Sequence, residues 1–244
     1  MSILVNPRHL ATVESERDNY SHEQAVSIVA RLSNRYRQSW AVMKSIPLDH
    51  LAVIRTLKSK KIPFVLTGMH GIASWLGRPR ATHDIDLLVR GGNNYARAVR
   101  ALKNLYPELE VRVLEGISAF FAPGEKQSLI DVAYPMRGDL EATLDTAVWI
   151  VEDGLKFRVP SLEAALANKF GAAISPSRPA GKRGTGLIDF YNTVLHSQED
   201  GRAPINLQVL ARLGEKVLPS GGGAEILRLV DEAKADRVPV VTFR

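Results

Sequence analysis

Residues 68–89 read GMHGIASWLGRPRATHDIDLLV. An apolar segment from Pro63 to Leu66 precedes them, so the order is strand, glycine turn, short helix, loop, and a second strand opening with two aspartates. Glycines permit close backbone approach, and a helix beginning near His70 would point its free N–H groups and positive dipole end at the turn. This order favours an anion bound at the turn.

The second strand is expected to present both aspartates on one side. Residues two apart on a strand share a face, roughly 6.6 Å apart along the chain, so Asp84 and Asp86 project together while Ile85 and Leu87 face the core. Two unit charges about 4 Å apart repel by roughly 4 kcal/mol at an effective dielectric constant of about 20. The pair therefore requires a proton or a cation, and a divalent metal is the simpler answer.

A third aspartate interrupts another apolar run. Residues 128–134 read SLIDVAY between Gly124 and Pro135, which predicts a buried strand with one charge in its middle. If this strand lies beside the one that carries Asp84, Asp131 completes a cluster of three carboxylates. Such a cluster is able to hold one or two Mg²⁺ ions, which also bind nucleotide phosphates.

The glycine turn, the D-x-D strand and the later strand aspartate resemble the nucleotidyltransferase superfamily that shares the polymerase-beta type fold. The finer run GRPRATHDIDLLV, residues 77–89, resembles the AbiEii-type toxins of that superfamily and their uncharacterised relatives. The resemblance covers roughly residues 60–197 and extends more loosely to the remainder.

The resemblance implies a role for each of these residues. Asp84 and Asp86 would ligate two metal ions, and Asp131, a third ligand, would activate the attacking hydroxyl. The backbone at Gly68 and Met69 would hold the triphosphate of an NTP.

The sequence departs from the family pattern at two places. Met69 stands where the family usually has Gly or Ser, so only its backbone N–H can serve there. Thr185 and Gly186 stand where the family often has a Lys-Asp pair, although Asp189 matches. Both departures support an alternative from another class, a catalytically silent relative that binds RNA or a partner protein.

Lys169 supports a phosphate site by an independent route. Ser161, with Glu163 in the first turn, predicts a helix start, and Lys169 falls on the apolar stripe seven residues after Leu162. It is therefore expected to point inward, toward the aspartates or a bound triphosphate, and the resemblance assigns such a lysine to the phosphates.

Other residues near the motif have competing interpretations. Arg80 is either a bidentate phosphate ligand or a solvated loop arginine. Asp189 is expected to be structural and to pair with Lys169 or an arginine. Two histidines, His70 and His83, are expected to make local hydrogen bonds. Two tryptophans are expected to pack in the core or at its rim rather than to stack on bases: Trp75 and Trp149.

The composition limits the number of domains and the kinds of site that the chain can form. The chain has 244 residues, 45% of them hydrophobic, which suffices for one large or two small domains. It has no cysteine, which excludes disulfides, thiolate zinc sites and a cysteine nucleophile. No apolar run reaches the length of a membrane span, and residues 1–20 contain no apolar signal region, so we expect a cytoplasmic protein without membrane contact.

The formal net charge is +6, although the proposed site is acidic. The positive excess must therefore lie elsewhere, and phosphate-backbone binding is favoured over an ordinary solvated surface. Three groups carry it: Arg31, Arg35 and Arg37; Lys58, Lys60 and Lys61; and Arg178, Lys182 and Arg183, in a predicted loop at 177–186.

The chain divides into three predicted parts of an α/β (α+β) fold. These are an N-terminal helical segment packing on the core (1–61), a nucleotidyltransferase core (62–160) and a helical C-terminal region (161–244). The core is predicted to be a mixed nucleotidyltransferase sheet with flanking helices. Predicted strands cover 64–67, 85–90, 111–115, 119–122, 129–134 and 157–159; predicted helices cover 95–105, 161–173 and two helices within 22–61, broken near Ile46 and Pro47; predicted breaks lie at 176–186 and 220–223.

Together these features predict an NTP-dependent nucleotidyltransferase that uses Mg²⁺, expected as two ions, to move an NMP onto an acceptor hydroxyl. The AbiEii-type resemblance and the basic surface favour an RNA end such as that of tRNA, in a toxin-antitoxin setting with an antitoxin partner protein. A small molecule such as an aminoglycoside, or a protein side chain, remains an alternative acceptor.

Overall fold

The structure, a computed structural model, describes residues 20–38, 48–77, 79–199 and 201–241. The helices are α1 (His22–Gln38), α2 (His50–Ser59), α3 (Gly68–Leu76), α4 (Gly92–Leu105), α5 (Gly138–Thr146), α6 (Leu162–Ile174), α7 (Ala180–His196), α8 (Leu207–Val217) and α9 (Gly222–Lys234). The strands are β1 (Phe64–Leu66), β2 (Ile85–Val89), β3 (Glu110–Leu114), β4 (Ile117–Phe121), β5 (Ser128–Ala133), β6 (Val148–Glu152) and β7 (Leu155–Val159).

Five strands form one mixed sheet in the order β1-β2-β5-β4-β3. The β2–β5 pair is parallel and the other pairs are antiparallel. Strands β6 and β7 form a separate antiparallel hairpin. The predicted fold class, a mixed sheet with flanking helices and a helical C-terminal part, is confirmed.

Two large apolar clusters hold these layers together. The first joins the sheet to α2, α4 and the hairpin through side chains such as Leu57, Leu102 and Phe120. The second lies among α6, α7, α8 and α9 and includes Phe170 and Phe190. Full burial of one such side chain stabilises the fold by roughly 1.5–3 kcal/mol, so each cluster contributes substantially to the stability of the structure.

Each predicted strand overlaps an observed strand, and α4 and α6 overlap their predicted helices. Helix α6 begins as expected, because the hydroxyl of Ser161 accepts a hydrogen bond from the N–H of Ala164. The predicted break near Ile46 and Pro47 lies outside the described residues. The division into segments 1–61, 62–160 and 161–244 stays a prediction.

The predicted loop at 176–186 is wrong over most of its length. Helix α7 begins at Ala180 and carries Lys182, so its glycine-rich first turns are helical. A Cβ on Gly186 would lie 3.5 Å from the Lys169 carbonyl oxygen and from Ala172 Cβ, an ordinary contact distance, so α7 packs directly against α6 at this point. Tertiary packing has outweighed the poor helix propensity of glycine. Strand β6 and helix α5 were not predicted.

Within the described ranges, no helix is both long and apolar enough to cross a membrane.

Candidate active site

Three carboxylates meet where β2 and β5 lie side by side. Asp86 is directly opposite Asp131 in the parallel pair, and Asp84 lies one residue before β2. One carboxylate oxygen from each of the three lies within 4.8 Å of the other two. The expected convergence of the three aspartates is therefore confirmed, and the cluster is able to hold a metal ion.

The electrostatics of this cluster favour a bound cation. Burial, followed by the charges of Asp84 and Asp131, raises the pKa of Asp86 well above its usual value. Burial and the charge of Asp84 raise the pKa of Asp131 to about 6. One buried oxygen of Asp131, Oδ1, has no hydrogen-bond partner among the described residues. An all-oxygen donor set with an unpaired buried oxygen fits Mg²⁺.

Gly68 makes room for this cluster. Its φ is +57°, and a Cβ placed on it would lie 1.7 Å from Asp86 Oδ2, so no other residue fits without moving the carboxylate. The backbone N–H of Thr67 donates to the Asp86 carbonyl oxygen at 2.8 Å, which ties the turn to β2. The first glycine of the motif is thus required by the position of the aspartate.

Helix α3 begins at Gly68, earlier than its predicted start near His70. The first N–H groups of a helix have no partner within it, and the Thr67 side chain does not cap them. The side chain of Met69 is buried in an apolar cluster, so its backbone alone faces the turn. The N-terminus of α3 therefore offers backbone donors beside the carboxylates.

The loop before Asp84 is fixed by α1. Arg37 donates from Nη1 to the carbonyl oxygens of His83 at 3.1 Å and Thr82 at 3.5 Å. Ser33 Oγ accepts from the Thr82 N–H at 2.9 Å, and Thr82 Oγ1 donates to Asp84 Oδ1 at 2.6 Å. A chain of hydrogen bonds thus runs from α1 to a carboxylate of the cluster.

The prediction that Arg37 belongs to a basic surface is wrong, because the side chain is buried and only 5% of its surface is exposed. Its part in the site was not predicted from the sequence. Helical spacing was the available signal, since Arg37 follows Ser33 by four residues and lies on the face of the buried Val26 and Ala30.

Lys169 and Arg80 both bind Asp189. Lys169 Nζ lies 2.8 Å from Asp189 Oδ2, and Arg80 donates to both carboxylate oxygens at 2.9 and 3.3 Å. Burial alone would raise the pKa of Asp189, but the charge of Lys169 and the bonds from Arg80 outweigh it and lower the pKa. The expected pairing of Asp189 is confirmed, and Lys169 points inward as predicted, with its charge also felt by Asp86.

Two further cations lie near the cluster. While burial and Asp84 raise the pKa of Asp131, the positive charges of Lys182 and Arg178 oppose the rise. Arg178 acts on Asp86 in the same sense. From the sequence, both were expected in a basic loop and neither was assigned to the site, because their approach depends on how α7 packs on α6.

The two histidines of the motif make local contacts. The ring of His70 stacks on His50 with centroids 5.5 Å apart, and burial lowers its pKa well below the usual value, which favours the neutral ring. His83 Nε2 lies 3.1 Å from the hydroxyl of Tyr36. The expected local hydrogen bond is therefore found for His83, whereas both ring nitrogens of His70 are buried without a hydrogen-bond partner among the described residues.

No protein-family model matches the chain. No curated protein matches it either. Among solved structures, it is similar to the crystal structure of an antigenic nucleotidyltransferase-like protein from Paracoccidioides brasiliensis. The identity is 19% and the TM-score 0.42, over 73% of this chain and 89% of that one.

The repulsion within the cluster predicts that Asp131→Asn stabilises the metal-free protein at pH 7. The pKa of Asp131 rises from 3.8 to about 6 on folding, so the folded state holds more protons between these values and its stability falls as pH increases through them. Asparagine removes that loss, which is worth up to about 3 kcal/mol. Thermal melts in chelator across pH 4–8 measure the difference.

Asp231→Asn, an exposed change on α9, is the matched control and should alter neither the stability nor its pH dependence. Saturating Mg²⁺ should reverse the ranking by stabilising the wild type and leaving Asp131→Asn unchanged. A variant that melts below the metal-free wild type at pH 7 would contradict the account.

The hydrogen bond from Thr82 predicts that Thr82→Val weakens Mg²⁺ binding. Valine preserves the shape of the side chain but leaves Asp84 without the donor that orients it, and removal of such outer hydrogen bonds typically costs roughly tenfold or more in metal affinity. Isothermal titration with Mg²⁺ measures the effect. Thr82→Ser retains the hydroxyl and should bind like the wild type; equal affinities for all three proteins would count against this role.

Proposed function

We propose that this chain is a metal-dependent nucleotidyltransferase that moves an NMP from an NTP to an acceptor hydroxyl. The observation that carries the proposal is the convergence of Asp84, Asp86 and Asp131 beside the N-terminus of α3. Carboxylates that hold divalent cations, next to backbone donors that suit phosphate, are the combination that this reaction requires.

The three aspartates would hold one or two Mg²⁺ ions. Their oxygens are the donors that this ion prefers, and Asp131 Oδ1 is buried without a partner among the described residues. When bound, Mg²⁺ neutralises the charge of the NTP phosphates and polarises the α-phosphate. This would relieve the repulsion that raises the pKa values of Asp86 and Asp131.

Asp131 would also accept the proton of the acceptor hydroxyl. The hydroxyl oxygen forms a bond to the α-phosphorus, the bond from that phosphorus to the bridging oxygen breaks, and pyrophosphate leaves. The convergence of Asp131 with Asp86 and Asp84 supports this role, because its carboxylate lies beside the oxygens that would hold the ions.

The β and γ phosphates would contact the first backbone N–H groups of α3, at Gly68 and Met69, and the side chains of Arg80 and Lys169. Asp189 holds both cations in position, so they need little reorganisation to meet a phosphate. We add Arg178 and Lys182 to this group, because their charges are felt by the aspartate cluster.

For the acceptor we propose an RNA end such as that of tRNA, in a cytoplasmic toxin-antitoxin setting with an antitoxin partner. The AbiEii-type sequence resemblance and the net charge of +6 support this choice. A small molecule or a protein side chain is the alternative acceptor.

A catalytically silent relative that binds RNA or a partner protein is the second candidate. The buried side chain of Met69 and the residues Thr185 and Gly186 favour it, because they replace groups common in the family pattern. Such a protein would bind its partner with the same affinity whether Mg²⁺ and NTP are present or absent.

Asp86→Asn should abolish transfer of labelled NMP from each NTP to total cellular RNA, with a decrease of at least about a hundredfold, as for other central catalytic groups. The variant should remain folded by circular dichroism, because removing one charge from the crowded cluster relieves repulsion. Asp231→Asn, remote on α9, is the control and should retain full transfer.

Retained transfer in Asp86→Asn would overturn the metal assignment. If the wild type itself transfers no NMP, and neither Mg²⁺ nor any NTP raises its melting temperature, the silent binder is correct instead, since a ligand that binds only the folded state must stabilise it.

A further inference from the structure

The β6–β7 hairpin carries an exposed tryptophan. Along β6, Ile150 and Glu152 are buried, whereas Trp149 and Val151 point outward with 61% and 49% of their surfaces exposed. This corrects the expectation that Trp149 packs in the core or at its rim. The outer face of β6 therefore presents an aromatic ring and a neighbouring apolar side chain to solvent.

Two cations from β7 lie against the indole ring. Lys156 Nζ is 5.1 Å and Arg158 Cζ 5.7 Å from the ring centroid. The strand register accounts for this, since Arg158 is directly opposite Trp149 and Lys156 is opposite Val151. The outer face of the hairpin therefore combines an aromatic ring with two positive charges.

This positive surface continues onto the end of α2. Lys58 Nζ donates to the Lys156 carbonyl oxygen, and Lys60 and Lys61 follow it in the chain. Arg97 of α4 then donates to the Lys60 carbonyl oxygen at 2.5 Å. We call the resulting surface the basic-aromatic strip; it consists of Trp149, Arg158, Lys156, Lys58, Lys60, Lys61 and Arg97.

The charges of the basic-aromatic strip are not neutralised locally. Within the part of the chain that the structure describes, none of its six cations forms an ion pair with a carboxylate. The neighbouring Arg55 contrasts with them, because it pairs with Asp153 at 3.0 Å. A row of cations without acidic partners is complementary to a linear polyanion.

We propose that the basic-aromatic strip binds single-stranded nucleic acid. Its cations would contact successive phosphates, and Trp149 would stack on an unpaired base. An acidic peptide would bind the cations but would leave the indole ring unused. A lipid surface fits less well, because it requires several apolar side chains that insert, and this face has two, Trp149 and Val151. The proposal does not rest on the proposed reaction, because this binding needs neither Mg²⁺ nor NTP.

The test is fluorescence anisotropy of labelled single-stranded RNA and DNA oligonucleotides with the full chain, in chelator. Trp149→Ala should weaken binding roughly tenfold, whereas Trp149→Phe should retain most of the affinity because phenylalanine still stacks. Lys60→Glu and Lys156→Glu should weaken binding and reduce the slope of log affinity against log salt by about 0.7 for each phosphate that the protein no longer neutralises.

The controls alter an apolar side chain and a lysine elsewhere on the surface. Val113→Ala removes an exposed apolar side chain on β3, and Lys234→Glu reverses an exposed charge at the end of α9; both should bind like the wild type. All variants alter exposed side chains, and thermal melts confirm that they are folded.

The proposal is overturned if Trp149→Ala binds as tightly as the wild type, or if neither oligonucleotide binds. Binding confined to phosphatidylserine vesicles or to an acidic peptide would overturn it in favour of that partner. This binding is measured in chelator and without NTP, so failure of the proposed reaction and failure of this surface are separate results.

Discussion

The parallel pairing of β2 with β5 is the constraint on which the candidate site depends. It sets Asp86 opposite Asp131, and the core side chains on either side of each aspartate hold that register. A slip of one residue would turn Asp131 to the other face of the sheet. The sheet thus holds together carboxylates that repel one another, and it can do so because Ile85, Leu87 and Ile130 are fully buried beside them.

Elements from both halves of the chain complete the site. Gly68 leaves space for the Asp86 carboxylate, while α1 fixes the loop before Asp84 through Arg37. Helices α6 and α7 supply cations, held in part by Asp189. The packing of the C-terminal helices on the sheet therefore sets where these cations lie relative to the aspartates. The motif alone does not determine it.

Much of this arrangement was predictable from local sequence patterns. Alternation along β2 and the apolar run of β5 predicted three converging aspartates, because strand periodicity is a strong signal when one face is buried. Helix α7 was missed because its glycines are poor helix formers, and the apolar contacts that hold it against α6 join residues that are far apart in the sequence. The contributions of Arg37 and Lys182 were also missed. Both residues are far from the aspartates in the sequence, and only the packing of their helices brings them near the site.

The most direct test is a crystal structure of the protein soaked in Mn²⁺, with anomalous scattering used to locate the ion. The account predicts a peak between the three carboxylates, about 2.0–2.3 Å from oxygens of Asp84, Asp86 and Asp131, as expected for a small divalent cation. Mn²⁺ bound elsewhere with this cluster vacant, or an Asp131 side chain turned away from the other two, would contradict it.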